Sequence, residues 1–562
     1  MERSGEYTYV VTLKNMSDLD DFYTEMESSN GTGNIPNRTV QCILKRPISR
    51  STHYQLTDEE ASKLKNDDRV LDVEEPYYNR GIVFKDMWDQ PQTSSWDKEP
   101  EATANPVDRN WALKRCTDGQ QTSNWGEAPG NPTAATGSVN TTSSGKNVDI
   151  VIVDRHIDHT HSEFSDGNGG SRVNLFNWYQ YSGALGYETP ANYTYNLTGS
   201  SHGTQVAGIA VGNTNGWARD ANIYNISWYI DDVAGNATDY PDMANWTTMF
   251  FDYIRYWHED KSINPTTGRK NPTIVNCSFG SVYPYKNWWL NNGSTDYVNL
   301  IQYRGYNNFV NGTSVQKKEY LEDRRLPVTG HDSVKGWYIP DLPARTTELD
   351  SDIELLISSG MIVVGGAGNE SFSLDVESGS DYNNGIQGKY NSNGIALRTS
   401  RGSSPASTKD VICVGSVGVK VDEYKSYFSN FEERVDVWAP GSNIISSANN
   451  NAWATASGTS VACPQVSGLL GCLAEQWPNM KQADALQFLK ETSRSQVGNN
   501  LPVGNSVTES PYEAFGDGNN RYVRYVYKRP QTGTVYPHDN HANRNENTSG
   551  VKYPRVRYTV TK

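Results

Sequence analysis

The chain has 562 residues, with 50 Lys+Arg against 65 Asp+Glu, 36% hydrophobic residues, and 15 Trp, 34 Tyr and 13 Phe. That aromatic content excludes disorder throughout, and the net charge of −15 argues against a surface that grips nucleic acid as a whole. No run of roughly 18 or more apolar residues occurs, so no membrane-spanning helix is expected.

The start, Met1-Glu2-Arg3-Ser4-Gly5-Glu6, carries both charge signs and leads into a short alternating run, Tyr7 to Leu13. That run reads as a strand and is too short and polar for a secretory core, so no export signal is expected. Ser17 reads as the N-cap of a helix opened by Leu19-Asp20-Asp21-Phe22. Strands follow near Thr39–Leu44 and Thr52–Leu56. Thr57-Asp58-Glu59-Glu60 then has the capping-box pattern, with Ala61 and Leu64 on a helix face and Val70, Leu71 and Val73 in a last strand. Residues 1–78 thus predict a small α+β module of the split βαβ kind.

Residues 79–105, with Pro91 and Pro100 among many polar residues, read as an exposed linker. From 106 to 495, short β-branched runs such as Val148–Val153, Thr273–Asn276, Met361–Gly365 and Val411–Val414 alternate with helical patterns. Strands apolar on both faces predict a parallel α/β sheet covered by helices on both sides. Residues 496–562 form a basic, aromatic extension; Arg521 to Lys562 holds nine Lys+Arg and two Asp+Glu. A solvated or partner-packed tail is favoured there over nucleic-acid binding. The six cysteines are scattered without metal-ligand spacing and read as buried thiols in a reducing compartment, intracellular or virion-associated.

Three segments carry chemistry. Asp154 ends an apolar strand, His202 heads a small-residue helix (Ser201-His202-Gly203-Thr204), and Ser460 opens an apolar helix (Gly458-Thr459-Ser460-Val461). In an open α/β sheet, ligands bind beyond the carboxyl ends of the strands, where the three would converge. A serine hydroxyl needs a base, and the base needs a carboxylate to fix its tautomer. Amides at the Ser460 helix start supply one oxyanion donor, and Asn369, after Gly365-Gly366-Ala367-Gly368, offers a second.

With these motifs the chain resembles the subtilisin-like serine proteases, the subtilase family, whose worked chemistry is well known. His-Gly-Thr-x-Val-Ala-Gly at 202–208, Gly-Thr-Ser-x-Ala-x-Pro at 458–464 and Gly-Asn at 368–369 carry the likeness, which extends from about Trp111 to Thr492. The resemblance implies a subtilisin-like fold and a serine endopeptidase acting on polypeptides, with Ser278, Phe279 and Gly280 as the substrate-pairing strand. It implies no cofactor for catalysis. The family often holds structural calcium, for which Asp231, Asp232 or Asp381 could contribute oxygens, although the likeness gives no residue-level match for such a site. Leu56–Ala61 and Asp68–Glu74 resemble an inhibitor-type prodomain, implying a zymogen whose prodomain C-terminus threads the cleft and is cut within 76–110.

One departure stands beside the triad: Arg155-His156 replaces the family's small residues and is expected to narrow the pocket or perturb His202. It motivates the rival expectation of a catalytically impaired structural or virion-assembly component, as does the Tyr/Arg/Asn-rich tail, which is similar to tails of phage virion proteins. His156, His159 and His161 with Asp158 and Glu163 read as a turn with solvated imidazoles rather than a metal cluster, because their spacing fits no helical ligand pair. The stretch from Gly280 to Asn369, rich in Trp, Tyr, Asn and Gly, reads as loops that restrict entry or dock a larger assembly.

Overall fold

The computed structural model describes residues 5–86, 112, 138–141, 143–186, 200–227, 246–283, 298–302, 341–370, 372, 374–379, 381–388, 396–417, 426, 428–492 and 558–561. Its centre is a seven-stranded sheet in the order Val437–Pro440, Ile412–Val417, Ile362–Gly366, Thr273–Cys277, Asp149–Asp154, Asn222–Ser227, Val173–Asn174. Every pairing is parallel. From Asp149–Asp154 the chain goes to the edge strand Val173–Asn174, fills the place between them with Asn222–Ser227, and then crosses to add Thr273–Cys277 on the other side. The point where the strand order reverses therefore lies between these two strands, and a crevice opens beyond their carboxyl ends.

Both faces of each central strand are apolar, and alternate residues serve opposite layers. Ile150 and Ile152 join Ile274, Ile362, Val364 and Ile412 under the helices His202–Val211, Thr459–Gln476 and Gln482–Thr492. Val151, Val153, Val275 and Val363 face Trp246–Asp260 and Thr347–Ser358. This is the doubly covered α/β architecture that the unalternated runs predict. Among the described residues, no helix is long and apolar enough to cross a membrane.

The N-terminal module has its own core, with Val11, Leu13, Phe22, Met26, Tyr54, Leu56, Leu64 and Val73 buried. Its antiparallel sheet runs Cys42–Leu44, Ser51–Leu56, Tyr7–Leu13, Val70–Glu74, with helices Leu19–Glu27 and Asp58–Leu64. The capping box forms as its pattern predicts: Glu60 N donates to Thr57 Oγ1 at 3.2 Å and Thr57 N to Glu60 Oε2 at 2.9 Å. Ser17 is not a cap; a 3-10 turn over Met16–Asp18 precedes the first helix, and Asp18 holds the N-cap position without a side-chain bond.

The module docks on Trp246–Asp260 and Thr347–Ser358 through buried charge. Arg46, with no exposed surface, meets Asp252 at 2.9 Å, Glu348 at 3.1 Å and Asp352 at 2.7 Å. His53 Nε2 lies 2.8 Å from Glu348, and Ser49 Oγ donates to Asp352 at 2.8 Å. Where composition predicts linker, Val83–Asp86 is instead a strand, paired antiparallel with Phe279–Tyr283. The central strand of that small sheet is flanked on its other side by Leu342–Pro343. At the far end of the chain, Tyr558–Thr561 pairs with Ser138–Thr141.

Candidate active site

Asp154 is the last residue of its strand and His202 the first of its helix, and both are buried. His202 Nδ1 lies 2.7 Å from Asp154 Oδ1, so Nδ1 carries the hydrogen and Nε2 is the basic nitrogen. The same Oδ1 accepts from the Arg155 amide at 2.7 Å. The turn after Asp154 is held by Asn225, whose Nδ2 donates to the carbonyls of Ile152 at 3.0 Å and Arg155 at 3.1 Å. Gly203 lets the His202 helix approach that turn: a Cβ there would lie 2.1 Å from the Arg155 carbonyl oxygen.

Ser460 is the second residue of the 18-residue helix Thr459–Gln476, a position whose amide precedes the first helical hydrogen bond. Pro464 stands four residues on and has no N–H to donate to the Ser460 carbonyl. Ser278 Oγ donates to that carbonyl instead, at 2.8 Å, and accepts from Asn276 Nδ2 at 2.9 Å. The Ser460 hydroxyl is buried and has no hydrogen-bond partner among the described residues. Asn369 is oriented by its oxygen, which accepts from Thr459 N at 2.9 Å and Thr459 Oγ1 at 3.0 Å. Its Nδ2 is thereby left buried with no partner among the described residues, a donor available to a developing oxyanion. Gly368, at φ +104°, makes the turn into Asn369, where a Cβ would strike the Asn430 amide at 2.3 Å.

The Phe279–Tyr283 strand is occupied by the chain's own Val83–Asp86, with Asp86 opposite Phe279 and Lys85 opposite Gly280. Phe84 packs edge-on against Phe279 at 5.8 Å between centroids. Of the three residues expected to pair with substrate, Phe279 and Gly280 face this strand, whereas the Ser278 hydroxyl supports the Ser460 helix. Asp86 Oδ1 comes to 3.7 Å from His202 Nδ1, and Asp86 Oδ2 accepts from Arg155 Nε at 2.8 Å. Burial alone would push the His202 imidazole down; Asp154 and Asp86 outweigh burial and Arg155, and hold it above its ordinary value. Among the described residues, Asp86, Asp154 and His202 are the only group of three His, Cys, Asp or Glu side chains close enough to hold a metal ion.

Arg155 thus turns to Asp86 and its charge acts on His202, opposing the two carboxylates, as the departure from the family's small residues led one to expect; His156 is buried. The neighbouring imidazoles correct the expectation of solvation. His161 is buried, with Nε2 2.8 Å from the Ala452 carbonyl and Nδ1 accepting from Glu163 N. Asp158 accepts from Thr160 and Asn450, and Glu163 from Thr214 and Asn215, so these carboxylates cap turns. Asp231 and Asp232 lie outside the described residues, as do Trp288, Trp289, Tyr303, Tyr306 and Trp337; the amide of Asp381 donates to Asp375. Cys277, Cys413, Cys463 and Cys472 are buried free thiols, and burial pushes Cys413 up to about 12, far from a reactive thiolate.

Sequence reasoning missed Asp86, Asn225 and Asn276. The last also accepts from Ser467 Oγ at 2.8 Å, tying the strand to the serine helix. Asn276, in the run Asn276-Cys277-Ser278, is a polar residue in an otherwise apolar buried strand, the one signal that pointed to it.

The chain is 32% identical over 155 residues to the major intracellular serine protease of Bacillus subtilis (strain 168), covering 28% of this chain and 39% of that one. It is 35% identical over 137 residues to the thermophilic serine proteinase of Bacillus sp. (strain AK1), covering 24% and 26%. The matched stretches thus span well under half of these relatives. Among solved structures, the epidermin leader peptide processing serine protease of Staphylococcus aureus aligns at 17% identity and a TM-score of 0.47, over 89% of this chain and 95% of that one. A family model described as the subtilase family, peptidase S8, matches residues 145–518. That match covers more than half of the chain, runs from just before the Asp154 strand to beyond the Ser460 helix, and includes every part of the crevice built above except Asp86: the chain belongs to the subtilase family.

Proposed function

We propose that the chain is a serine endopeptidase made as a zymogen, its N-terminal module being the inhibitory prodomain. The observation that carries this reading is Val83–Asp86 lying as an added strand on Phe279–Tyr283, with Asp86 beside His202. A peptide held by main-chain bonds in that cleft is presented as a substrate would be. Ser460 Oγ attacks the scissile carbonyl while His202 Nε2 takes its proton. Asp154 holds the Nδ1–H and supports the imidazolium; the Ser460 amide and Asn369 Nδ2 receive the oxyanion. His202 then gives the proton to the leaving amine, and water releases the acyl group by the same steps in reverse order of roles.

Fluorophosphonate labelling and intact mass test the reading. The wild-type chain should label at Ser460 and lose its N-terminal module, and Ser460→Ala should do neither. Asp86 lies beside His202, so the bond expected to be cut lies shortly after Asp86, and sequencing of the new N-terminus locates it. A wild-type chain that neither labels nor cleaves points to the assembly-scaffold reading.

A further inference from the structure

We propose that Arg155 is a specificity-determining residue that selects an acidic side chain at the peptide position opposite Phe279; the proposal rests on the peptidase reading above. The only described occupant of that position is Asp86, whose Oδ2 takes the Arg155 Nε–H at 2.8 Å. Both side chains are sheltered, Arg155 at 24% exposure and Asp86 at 13%, so the pair is screened less than a surface ion pair.

The base of the Arg155 side chain is fixed from three directions. Its amide is held by Asp154 Oδ1, its carbonyl by Asn225 Nδ2, and the His202 helix closes on that carbonyl at Gly203. A guanidinium anchored in this way presents a cation at one place on the cleft wall. A carboxylate on the bound peptide satisfies it with a charge-assisted bond. A neutral side chain leaves it without that partner, and a lysine sets two cations against each other. The family's small residues after the aspartate are absent here, and the replacement faces the peptide strand directly.

The adjacent position is patterned with the opposite sign. Lys85, opposite Gly280, ion-pairs with Asp341, but its side chain is 40% exposed, so this second contact discriminates less. Selection therefore falls mainly on the residue facing Arg155. A substrate of this site is a polypeptide segment in extended conformation, with an acidic residue at the position opposite Phe279.

The test has two arms. In the first, the activated wild-type chain cleaves three quenched-fluorescence peptides that differ only in Asp, Asn or Lys at that position. Asp should exceed Lys in kcat/KM by about ten- to a hundredfold, Arg155→Gln should flatten the ratio, and Arg155→Glu should invert it. The ratio between peptides is the readout, so a general loss of activity in the variants does not disturb it. An unchanged ranking in Arg155→Glu overturns the proposal. The second arm needs no catalysis: in the full Ser460→Ala chain, Asp86→Lys should lower the unfolding temperature, and adding Arg155→Glu should restore part of it. Strictly additive shifts overturn the proposal. If the wild-type chain cuts and labels nothing, the peptidase reading fails, and this arm alone decides whether Arg155 recognises the acid.

Discussion

The hydroxyl of Ser278 donates to the main-chain carbonyl of Ser460 at 2.8 Å, replacing the helical hydrogen bond that Pro464 cannot make. A side chain from the end of a sheet strand thereby completes the first turn of the helix that carries the nucleophile. Ser278→Ala leaves a buried carbonyl unsatisfied and should cost about 1–3 kcal/mol of stability, read by urea unfolding in the Ser460→Ala chain to prevent self-cleavage. Pro464→Ala returns an N–H to the same carbonyl. The double variant should therefore be less destabilised than the sum of the two single ones; simple additivity would show that the two groups do not serve the same oxygen.

Asn369 has two separable jobs, since its oxygen accepts from Thr459 and its Nδ2 is the partnerless donor. Asn369→Asp keeps an acceptor for Thr459 and removes the donor; Asn369→Ala removes both. Both should lower kcat by about 10²–10³ with little change in KM, because the lost bond exists only in the transition state. Only Asn369→Ala should also lose the contact to Thr459 and some stability. Wild-type turnover in Asn369→Asp would remove Asn369 from the oxyanion site.

The parts of the site that the sequence displays are those whose signals are local. Asp154, His202 and Ser460 each sit where a strand ends or a helix starts, within a few residues of the glycines and small residues that shape those ends. The capping box at Thr57 is readable for the same reason, being closed within four residues. Asp86 is not readable, since what gives it meaning is Arg155, 69 positions later, and a pairing with Phe279 that no periodicity announces. Its stretch is polar and proline-flanked, which composition assigns to linker. His161 illustrates the same limit: the spacing of the imidazoles argues against a metal site, but its burial against Trp453 and Ala452 comes from a hairpin almost 300 residues away. The missing Ser17 cap is a smaller case, in which a 3-10 turn shifts the helix start by one residue.

Arg46 is a cation placed among Asp252, Glu348 and Asp352 at the module interface, with His53 beside Glu348. Arg46→Met keeps the apolar stem and strands the three carboxylates, and should destabilise docking by about 3–5 kcal/mol, seen as early unfolding of the module in the Ser460→Ala chain. Docking should also depend on pH. Burial pushes Asp352 up to about 7, reinforced by Asp252 and Glu348 and opposed by Arg46; burial likewise pushes Glu74 up to about 7. Carboxylates raised on docking contribute fully below their ordinary values of 3.8 and 4.5 and lose that contribution as pH rises through about 7. Glu348 runs the other way: burial opposes ionisation, but His53 and Arg46 hold it at about 2, so its contribution is present above 4.5 and lost only as pH falls through about 2. Between pH about 4 and 8, then, docking should weaken as pH rises, measured as the module's unfolding temperature across that range; a rise in stability with pH would reverse the assignment.

Self-cleavage adds a second dependence, set by His202. The imidazole must be neutral to take the Ser460 proton, and in the uncut chain Asp154 and Asp86 hold it above its ordinary value against burial. The neutral form therefore dominates only at higher pH, and the rate of module release should climb with pH through a midpoint above about 6.5. Asp86→Asn removes one of the two facing negative charges and should move that midpoint to lower pH. Arg155→Gln removes the cation that opposes them and should move it to higher pH. The two shifts have opposite signs although the two residues are bonded to each other, so general disruption of the contact cannot produce both. Single-turnover release rates from pH 5 to 9 read the midpoints directly, and shifts in the same direction would show that His202 does not sense this pair.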